Sequence, residues 1–170
     1  MALQTGELLN IHSLANEVGV SRKEAENYLD ILENTFICQK VFPYFKNYGK
    51  EIIKTPKIYF LDLGLRNFIL NQFDPLEKRT DLGKLFENFY FTELISNDFY
   101  NFSKINFWRT TNQTEVDFIV QTGNSIIANE VKWNKSQNTR SLHSIKNIYP
   151  EMTTKMVNRF DFTGEQEITP

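Results

Sequence analysis

The stretch Glu115–Lys132, E-V-D-F-I-V-Q-T-G-N-S-I-I-A-N-E-V-K, decides the fold that we expect for this chain. Two runs of alternating apolar and polar residues flank the pair Gly123-Asn124. A Gly-Asn pair in that position is typical of a two-residue β-hairpin turn, because glycine supplies the positive φ that such turns need. With this pair as the loop, the register places Asp117 directly opposite Glu130.

Alternate residues of a strand share one face of the sheet, so the hairpin should have a charged face and an apolar face. The charged face carries Glu115, Asp117, Glu130 and Lys132, with Glu115 opposite Lys132. The apolar face carries Val116, Phe118, Val120, Ile127 and Val131, with Asn129 as its polar exception.

Asp117 and Glu130 are like charges that face each other across the ladder, which is destabilising unless something compensates them. A divalent cation would do so, because hard cations bind carboxylate oxygens. Lys132 would add a positive charge near a phosphate or an attacking water. The alternative is a solvated polar face on which Glu115 and Lys132 form a surface ion pair of small value.

Asp117, twelve intervening residues and then Glu130-Val131-Lys132 resemble the D…ExK core of the PD-(D/E)xK nucleases, which include restriction endonucleases and archaeal Holliday-junction resolvases. That superfamily adds a carboxylate from the helix before the hairpin, and Glu87 in G-K-L-F-E-N-F-Y-F-T-E-L matches it. Val116 stands where many members have a proline. The resemblance implies catalytic roles for Glu87, Asp117, Glu130 and Lys132, with Mg²⁺ or Mn²⁺ held by the three carboxylates and DNA as the substrate.

A second resemblance covers nearly the whole chain and is to the C-terminal region of a bacterial and archaeal family of AAA-type ATPases, whose tail is catalogued as a domain of unknown function. The matching motifs, in order, are L-A-N-E-V-G-V-S, Y-L-D-I-L-E, V-F-P-Y, P-K-I-Y-F-L-D-L-G-L-R, G-K-L-F-E-N, F-W-R-T, E-V-D-F and E-V-K. None of the seven glycines opens a G-x-x-x-x-G-K-[ST] loop, so we expect no ATP binding by this chain itself. The resemblance implies a fragment that begins after the ATPase module, and that module is its expected partner.

The composition indicates a globular protein, since 41% of the residues are apolar and 14% are aromatic. The net charge of −2 gives no overall nucleic-acid footprint. A single cysteine excludes a disulfide within the chain. The sequence has no signal peptide and no apolar run of about 18 residues, so we predict a cytoplasmic protein without a membrane span.

The N-terminal part has the pattern of a winged helix-turn-helix. A helix over Leu14–Val18, capped by His12 or Ser13, should end at Gly19, and Ser21 with Glu24 forms a capping box for the next helix. Two strands, Phe36–Phe45 and Ile52–Leu61, would form the wing. The second helix carries four acidic residues against two basic ones, which disfavours DNA reading and favours a packing module.

Lysines and aromatic residues are interleaved along the wing. The lysines are Lys40, Lys46, Lys50, Lys54 and Lys57. They could follow a nucleic-acid strand by charge and stacking, or they could be edge-strand lysines that prevent aggregation. Arg109, on a strand before the hairpin, could likewise contact a phosphate or base, or simply pack.

We therefore predict an α+β fold in which residues 1–71 form a winged helix-turn-helix, 72–82 a linker, 83–164 a PD-(D/E)xK restriction-endonuclease-like core and 165–170 a frayed tail. The remaining predicted elements are a helix Leu63–Leu70 capped by Asp62, a helix over 83–96 capped by Asp81, a strand Lys104–Thr110, a helix Thr139–Ile148 and a strand Met152–Phe160.

Two functions remain open at this point. The first is a metal-dependent DNA phosphodiesterase. The second is a DNA-docking or partner-docking module of the ATPase that keeps an idle nuclease fold, which would show no cleavage with any metal and no change in stability for Asp117→Asn. A winged-helix transcription regulator would need a basic recognition helix, which this sequence lacks.

Overall fold

The computed structural model describes residues 1–45, 55–98 and 102–164, and these form an α+β fold, as predicted. The α-helices are α1 (Ile11–Val18), α2 (Arg22–Asn34), α3 (Leu63–Leu70), α4 (Leu82–Ser96), α5 (Arg140–Ile148) and α6 (Phe160–Thr163). The strands are β1 (Cys38–Val41), β2 (Lys57–Phe60), β3 (Ser103–Arg109), β4 (Glu115–Thr122), β5 (Ser125–Lys132) and β6 (Thr153–Asn158). Within the described ranges, no helix is long and apolar enough to cross a bilayer.

The first two helices, α1 and α2, are joined by a tight turn, and each has a side-chain N-cap. Asn10 caps α1, its side chain accepting a hydrogen bond from the Ser13 N–H at 3.0 Å, so the predicted caps His12 and Ser13 are wrong. Both of those residues lie inside the first turn, which asparagine at the preceding position initiates better. The predicted capping box of Ser21 and Glu24 is confirmed. Assignment of this unit as a winged helix-turn-helix stays a prediction.

The wing strands are shorter than predicted. β1 pairs antiparallel with β2 from Cys38–Phe60 to Val41–Lys57. Beyond β1 the chain turns to the larger sheet, where Phe107 on β3 donates its N–H to the Phe42 carbonyl at 3.1 Å. The predicted loop with Lys46, Lys50 and Lys54 lies outside the described residues, as does the predicted tail at 165–170.

The helix caps of α3 and α4 differ from each other. Asp62 caps α3 as predicted, accepting from the Leu65 N–H at 2.8 Å. Asp81 precedes α4 but does not cap it, because its carboxylate contacts Arg66 at 2.9 Å and Arg79 at 2.8 Å instead. Charged guanidinium groups are stronger partners than backbone N–H groups. These three residues form what we call the arginine clasp, at the predicted linker; the domain division itself stays a prediction.

The larger sheet has the strand order β3-β4-β5-β6, with β5 and β6 parallel and the other pairs antiparallel. The predicted hairpin register is confirmed from Phe118–Asn129 to Thr122–Ser125. The last strand stops at Asn158, two residues before the predicted end, and α6 follows it. The predicted helix at 139–148 corresponds to α5.

A β-bulge in β4 interrupts the predicted alternation of faces. Asn106 pairs with Ile119 but Trp108 pairs with Val116, so β4 has one extra residue opposite Phe107. Phe118 therefore packs in the core under α4, whereas Val116 packs with Ile119 in the core that includes residues of α5. The prediction of one continuous apolar face is wrong at Val116, because a bulge reverses the side on which the following residues lie.

Candidate functional site

Asp117 lies where β4 and β5 separate. The backbone pairing between these strands extends to Phe118–Asn129. Beyond that pair, the Asp117 Oδ2 accepts a hydrogen bond from the Val131 N–H at 2.8 Å. Only 8% of Asp117 is exposed. The carboxylate thus takes the place of a backbone acceptor and is held in a fixed, buried position.

Glu130 and Lys132 follow on β5, next to Asp117. Glu130 is also buried, and its Oε2 accepts a hydrogen bond from the Ser141 hydroxyl of α5 at 3.0 Å. The Lys132 Nζ lies 2.6 Å from the Glu130 Oε1 and 4.0 Å from the Asp117 Oδ2. The structure therefore brings these three predicted site residues together, with the ammonium group beside both carboxylates.

Glu115 and Lys132 do not form the surface ion pair that was the predicted alternative. Glu115 instead contacts the Arg109 Nη1 at 3.1 Å and the Lys57 Nζ at 2.5 Å. The bulge in β4 explains this difference, because residues before it lie on the opposite side from that expected. Arg109 is thereby partly engaged, and whether it also contacts nucleic acid stays a prediction.

Glu87, the fourth predicted residue, projects from α4 into contacts with β2. Its Oε1 accepts the Tyr59 hydroxyl at 2.6 Å and lies 3.3 Å from the Lys57 Nζ. Gly6 is close as well, since a Cβ added there would lie 2.9 Å from the same oxygen. Glu87 is thus placed by groups from the N-terminal part of the chain.

The predicted role of Lys57 in binding nucleic acid is wrong, because its side chain is buried. Only 1% of Lys57 is exposed, and its ammonium group lies between Glu87 and Glu115. Lys40 is also engaged, with Asp30 at 2.5 Å and Glu33 at 3.2 Å. The sequence shows how many lysines lie along a strand but not which of them point inward.

Burial raises the pKa of Asp117 to about 8, and the nearby Glu87 and Glu130 carboxylates add to this effect. The ammonium groups of Lys57 and Lys132 offset it only in part. For Lys132, burial would lower the pKa, but Asp117 and Glu130 outweigh it and raise the pKa. At neutral pH the site therefore favours a charged Lys132 and a protonated Asp117.

The Tyr59 hydroxyl stays protonated and donates a hydrogen bond to Glu87. Burial, followed by the charge of Glu87, raises the pKa of Tyr59 well above its ordinary value. Tyr59 and Ser141 are neighbours of the site that the sequence-based prediction does not include. The signal for Tyr59 is its spacing from Lys57 in P-K-I-Y-F, since residues two apart share a face of a strand.

The residues present fit a hard divalent cation in their chemistry, because Asp117, Glu130 and Glu87 offer carboxylate oxygens. Four carboxyl groups, including that of Glu115, face the three cations Lys57, Arg109 and Lys132, so the cluster has excess negative charge once Asp117 is ionised. In the arrangement described, no three acidic, histidine or cysteine side chains within residues 1–45, 55–98 and 102–164 converge as a ready-made metal site. Glu87 in particular is turned toward Tyr59 and Lys57.

Comparison with curated proteins finds relatives of greater length. An uncharacterized protein of Mycobacterium tuberculosis is 31% identical over 133 residues, which cover 75% of this chain and 29% of the relative, and one of Mycobacterium bovis matches equally. An uncharacterized protein of Haemophilus influenzae is 27% identical over 155 residues, covering 87% of this chain and 36% of the relative. The chain thus spans about a third of the length of the curated relatives it matches.

No solved structure matches the chain significantly. Two family models do match it. Residues 1–76 match a domain of unknown function, DUF8612, and residues 82–167, half of the chain, match a second domain of unknown function, DUF4143. The chain therefore belongs to the family described as domain of unknown function DUF4143.

Proposed function

We propose that this chain is a metal-dependent phosphodiesterase that acts on DNA and works beside an AAA-type ATPase module. The observation that carries the proposal is the buried Asp117–Glu130 pair with Lys132 against it. A carboxylate buried beside other carboxylates is costly to ionise, and such sites are kept more often for chemistry than for stability. The order Glu87, Asp117, Glu130, Lys132 supports the same assignment by its resemblance to the PD-(D/E)xK pattern.

Each residue has a role that follows from its place. Asp117 and Glu130 would hold Mg²⁺ or Mn²⁺, with Glu87 as a third acidic group, and the bound ion would lower the pKa of a water that attacks phosphorus. Lys132 would leave Glu130 for a phosphate oxygen and stabilise its negative charge. Asp117 must lose its proton before it can act as a ligand, so activity should rise with pH toward 8.

The ATPase module is proposed as the partner in the same full-length protein. Members of the DUF4143 family are often associated with AAA-type ATPases, and the relatives are about two and a half times as long as this chain. The chain has no phosphate-binding loop of its own. ATP binding would thus belong to the module, and DNA cleavage to this chain.

A second candidate function, a non-catalytic docking module, is favoured by one observation. Lys132 already contacts Glu130, and Glu87 is bound by Tyr59 and Lys57, so much of the negative charge has partners without a metal ion. In this version the carboxylates are idle, and the chain holds DNA or the ATPase by its surface. The two candidates differ in whether the site binds a divalent cation and cuts DNA.

The deciding experiment is cleavage of labelled linear, single-stranded and four-way-junction DNA in Mg²⁺, Mn²⁺ or EDTA. The wild-type protein should cut in the presence of a metal, while Lys132→Ala and Asp117→Asn should each lose about 100-fold or more in rate. Cutting that survives both substitutions would identify a contaminant. An absence of cutting, together with an unchanged melting temperature in Mn²⁺, would leave the docking module as the function.

A further inference from the structure

The side chain of Glu87 is bound by residues from the N-terminal half of the chain, although Glu87 itself lies in the C-terminal half. Its contacts Lys57 and Tyr59 lie on β2, in the segment matched by the first family model, whereas Glu87 lies on α4, in the segment matched by the second. Tyr59 and Lys57 both reach the Oε1 atom. For the described residues, no hydrogen bond to the Oε2 atom of Glu87 is recorded.

From this arrangement we propose that Lys57 and Tyr59 are positioning residues of the candidate site: by binding the Glu87 carboxylate, they fix its place relative to Asp117. The inference rests on the proposed function, and it adds that the N-terminal segment is a working part of the site. Removal of such supporting contacts from a ligating group typically weakens metal binding about 10-fold to 100-fold.

The attachment of α4 to β2 is rigid at this point. Asn88, which follows Glu87, accepts the Phe60 N–H at 3.0 Å and donates to the Phe60 carbonyl at 2.7 Å. Asn88 and Phe60 are both fully buried. These two hydrogen bonds fix the position of α4 along β2, and they place Glu87 next to Tyr59 and Lys57.

The two positioning side chains are themselves well supported. The Tyr59 ring stacks on Phe91 with centroids 4.7 Å apart and contacts Phe118 at 5.2 Å. The Lys57 ammonium lies 5.5 Å from the centre of the Phe107 ring and also contacts Glu115. Because packing limits their rotamers, the hydroxyl and ammonium groups present a fixed donor pair to Glu87.

Tyr59→Phe tests the proposal, because it removes only the hydroxyl and keeps the stacked ring. Its matched control is Tyr90→Phe, which removes another buried hydroxyl in the same core, one that donates to Asn129 at 3.1 Å. We expect the affinity for Mn²⁺, measured by calorimetry on the folded proteins, to fall about 10-fold in Tyr59→Phe and to stay within about twofold of wild type in Tyr90→Phe.

A second pair of variants consists of Gly6→Ala and its control Gly19→Ala. Gly6→Ala should displace Glu87 without removing any hydrogen-bonding group. Gly6 and Gly19 both have φ of +76°, so the backbone conformation strains alanine at both positions. A Cβ at Gly6 would lie 2.9 Å from the Glu87 Oε1, whereas a Cβ at Gly19 would meet nothing within 4 Å. Gly6→Ala should weaken Mn²⁺ binding, and Gly19→Ala should leave it unchanged. This pair decides the matter if Tyr59→Phe fails to fold.

The outcomes separate this inference from the proposed function. If wild type binds Mn²⁺ and Asp117→Asn does not, but Tyr59→Phe and Gly6→Ala match their controls, the positioning role is overturned and the metal site stands. If wild type binds no Mn²⁺, the proposed function falls and the positioning role falls with it. Selective weakening in Tyr59→Phe or Gly6→Ala supports the positioning role.

Discussion

Two largely buried aspartates lie in clusters of opposite charge balance. In the arginine clasp, the hydrogen bond from Arg79, helped by Arg66, lowers the pKa of Asp81 despite burial. At the candidate site, burial and two neighbouring carboxylates raise the pKa of Asp117. The clasp pairs its one carboxylate with two guanidinium groups and joins α3 to α4, whereas the site has four carboxyl groups for three cations. The difference supports the proposal that the candidate site, and not the clasp, binds a ligand.

Among the single substitutions, the largest loss of stability should come from breaking the clasp. Asp81→Asn leaves Arg66, of which 1% is exposed, without its carboxylate, so the free energy of unfolding should fall by about 3 kcal/mol. Urea unfolding at pH 7 measures this change. The matched variant is Asp62→Asn, at a helix cap where asparagine serves as well as aspartate, and it should change stability by less than about 0.5 kcal/mol. Equal losses of stability in Asp81→Asn and Asp62→Asn would contradict the stabilising role of the arginine clasp.

The equivalent substitution at the site should act in the opposite direction. Asp117→Asn removes a buried negative charge, and its amide oxygen can still accept the Val131 N–H. The metal-free protein should gain about 1 to 2 kcal/mol in unfolding free energy at pH 8. Urea unfolding in EDTA provides the test. A loss of stability would show that Asp117 is a structural residue, and no change would favour the docking module.

The pH dependence of stability should distinguish the two aspartates. The folded-state pKa of Asp117, about 8, lies above its ordinary value of 3.8, so between these values only the folded protein holds the proton. The unfolding free energy should therefore fall as pH rises from 4 toward 8, by at most about 1.4 kcal/mol per unit from this group.

Asp81 has a lowered pKa, so its contribution is present above pH 4 and is lost only as pH falls through its folded-state value. Asp117→Asn should flatten the stability profile between pH 4 and 8, and Asp81→Asn should leave that slope unchanged. A wild-type profile that rises over this range, or a slope that Asp117→Asn does not alter, would contradict the assigned pKa of Asp117.

The smallest effect should appear at Lys132. Its side chain is 41% exposed, the same fraction as that of Lys84, which contacts Glu7 at 2.5 Å on the surface. Lys132→Met should cost about 1 kcal/mol in the metal-free protein because it removes a cation next to two buried carboxylates. Lys84→Met should cost less than about 0.5 kcal/mol. Equal costs in urea unfolding would mean that Lys132 is an ordinary surface lysine.

The parts of the fold that depend on neighbouring residues could be predicted from the sequence. The hairpin register follows from the Gly-Asn turn, and the capping box from Ser21 and Glu24. The bulge could not be predicted, because helices or loops cover both faces of the sheet at this point. The run E-V-D-F-I-V suits either face, so its pattern is the same with or without an extra residue.

The site could be predicted in its residue types but not in its supports. Asp117, Glu130 and Lys132 lie within one hairpin, where spacing alone determines their proximity. Lys57 and Tyr59 reach Glu87 across 28 to 30 residues of sequence, through packing of β2 against α4. The position of a lysine in a strand pattern does not show whether a buried carboxylate lies next to it, so the pattern does not distinguish Lys57 from the other wing lysines.

The most direct test of the central claim is calorimetric titration of wild type and Asp117→Asn with Mn²⁺ at pH 7, in two buffers of different ionisation enthalpy. Wild type should bind the ion and release protons, because a cation bound at this site displaces the proton from Asp117. Asp117→Asn should bind no Mn²⁺. Binding that is equal in the two proteins, or no binding to wild type at millimolar Mn²⁺, would contradict the account.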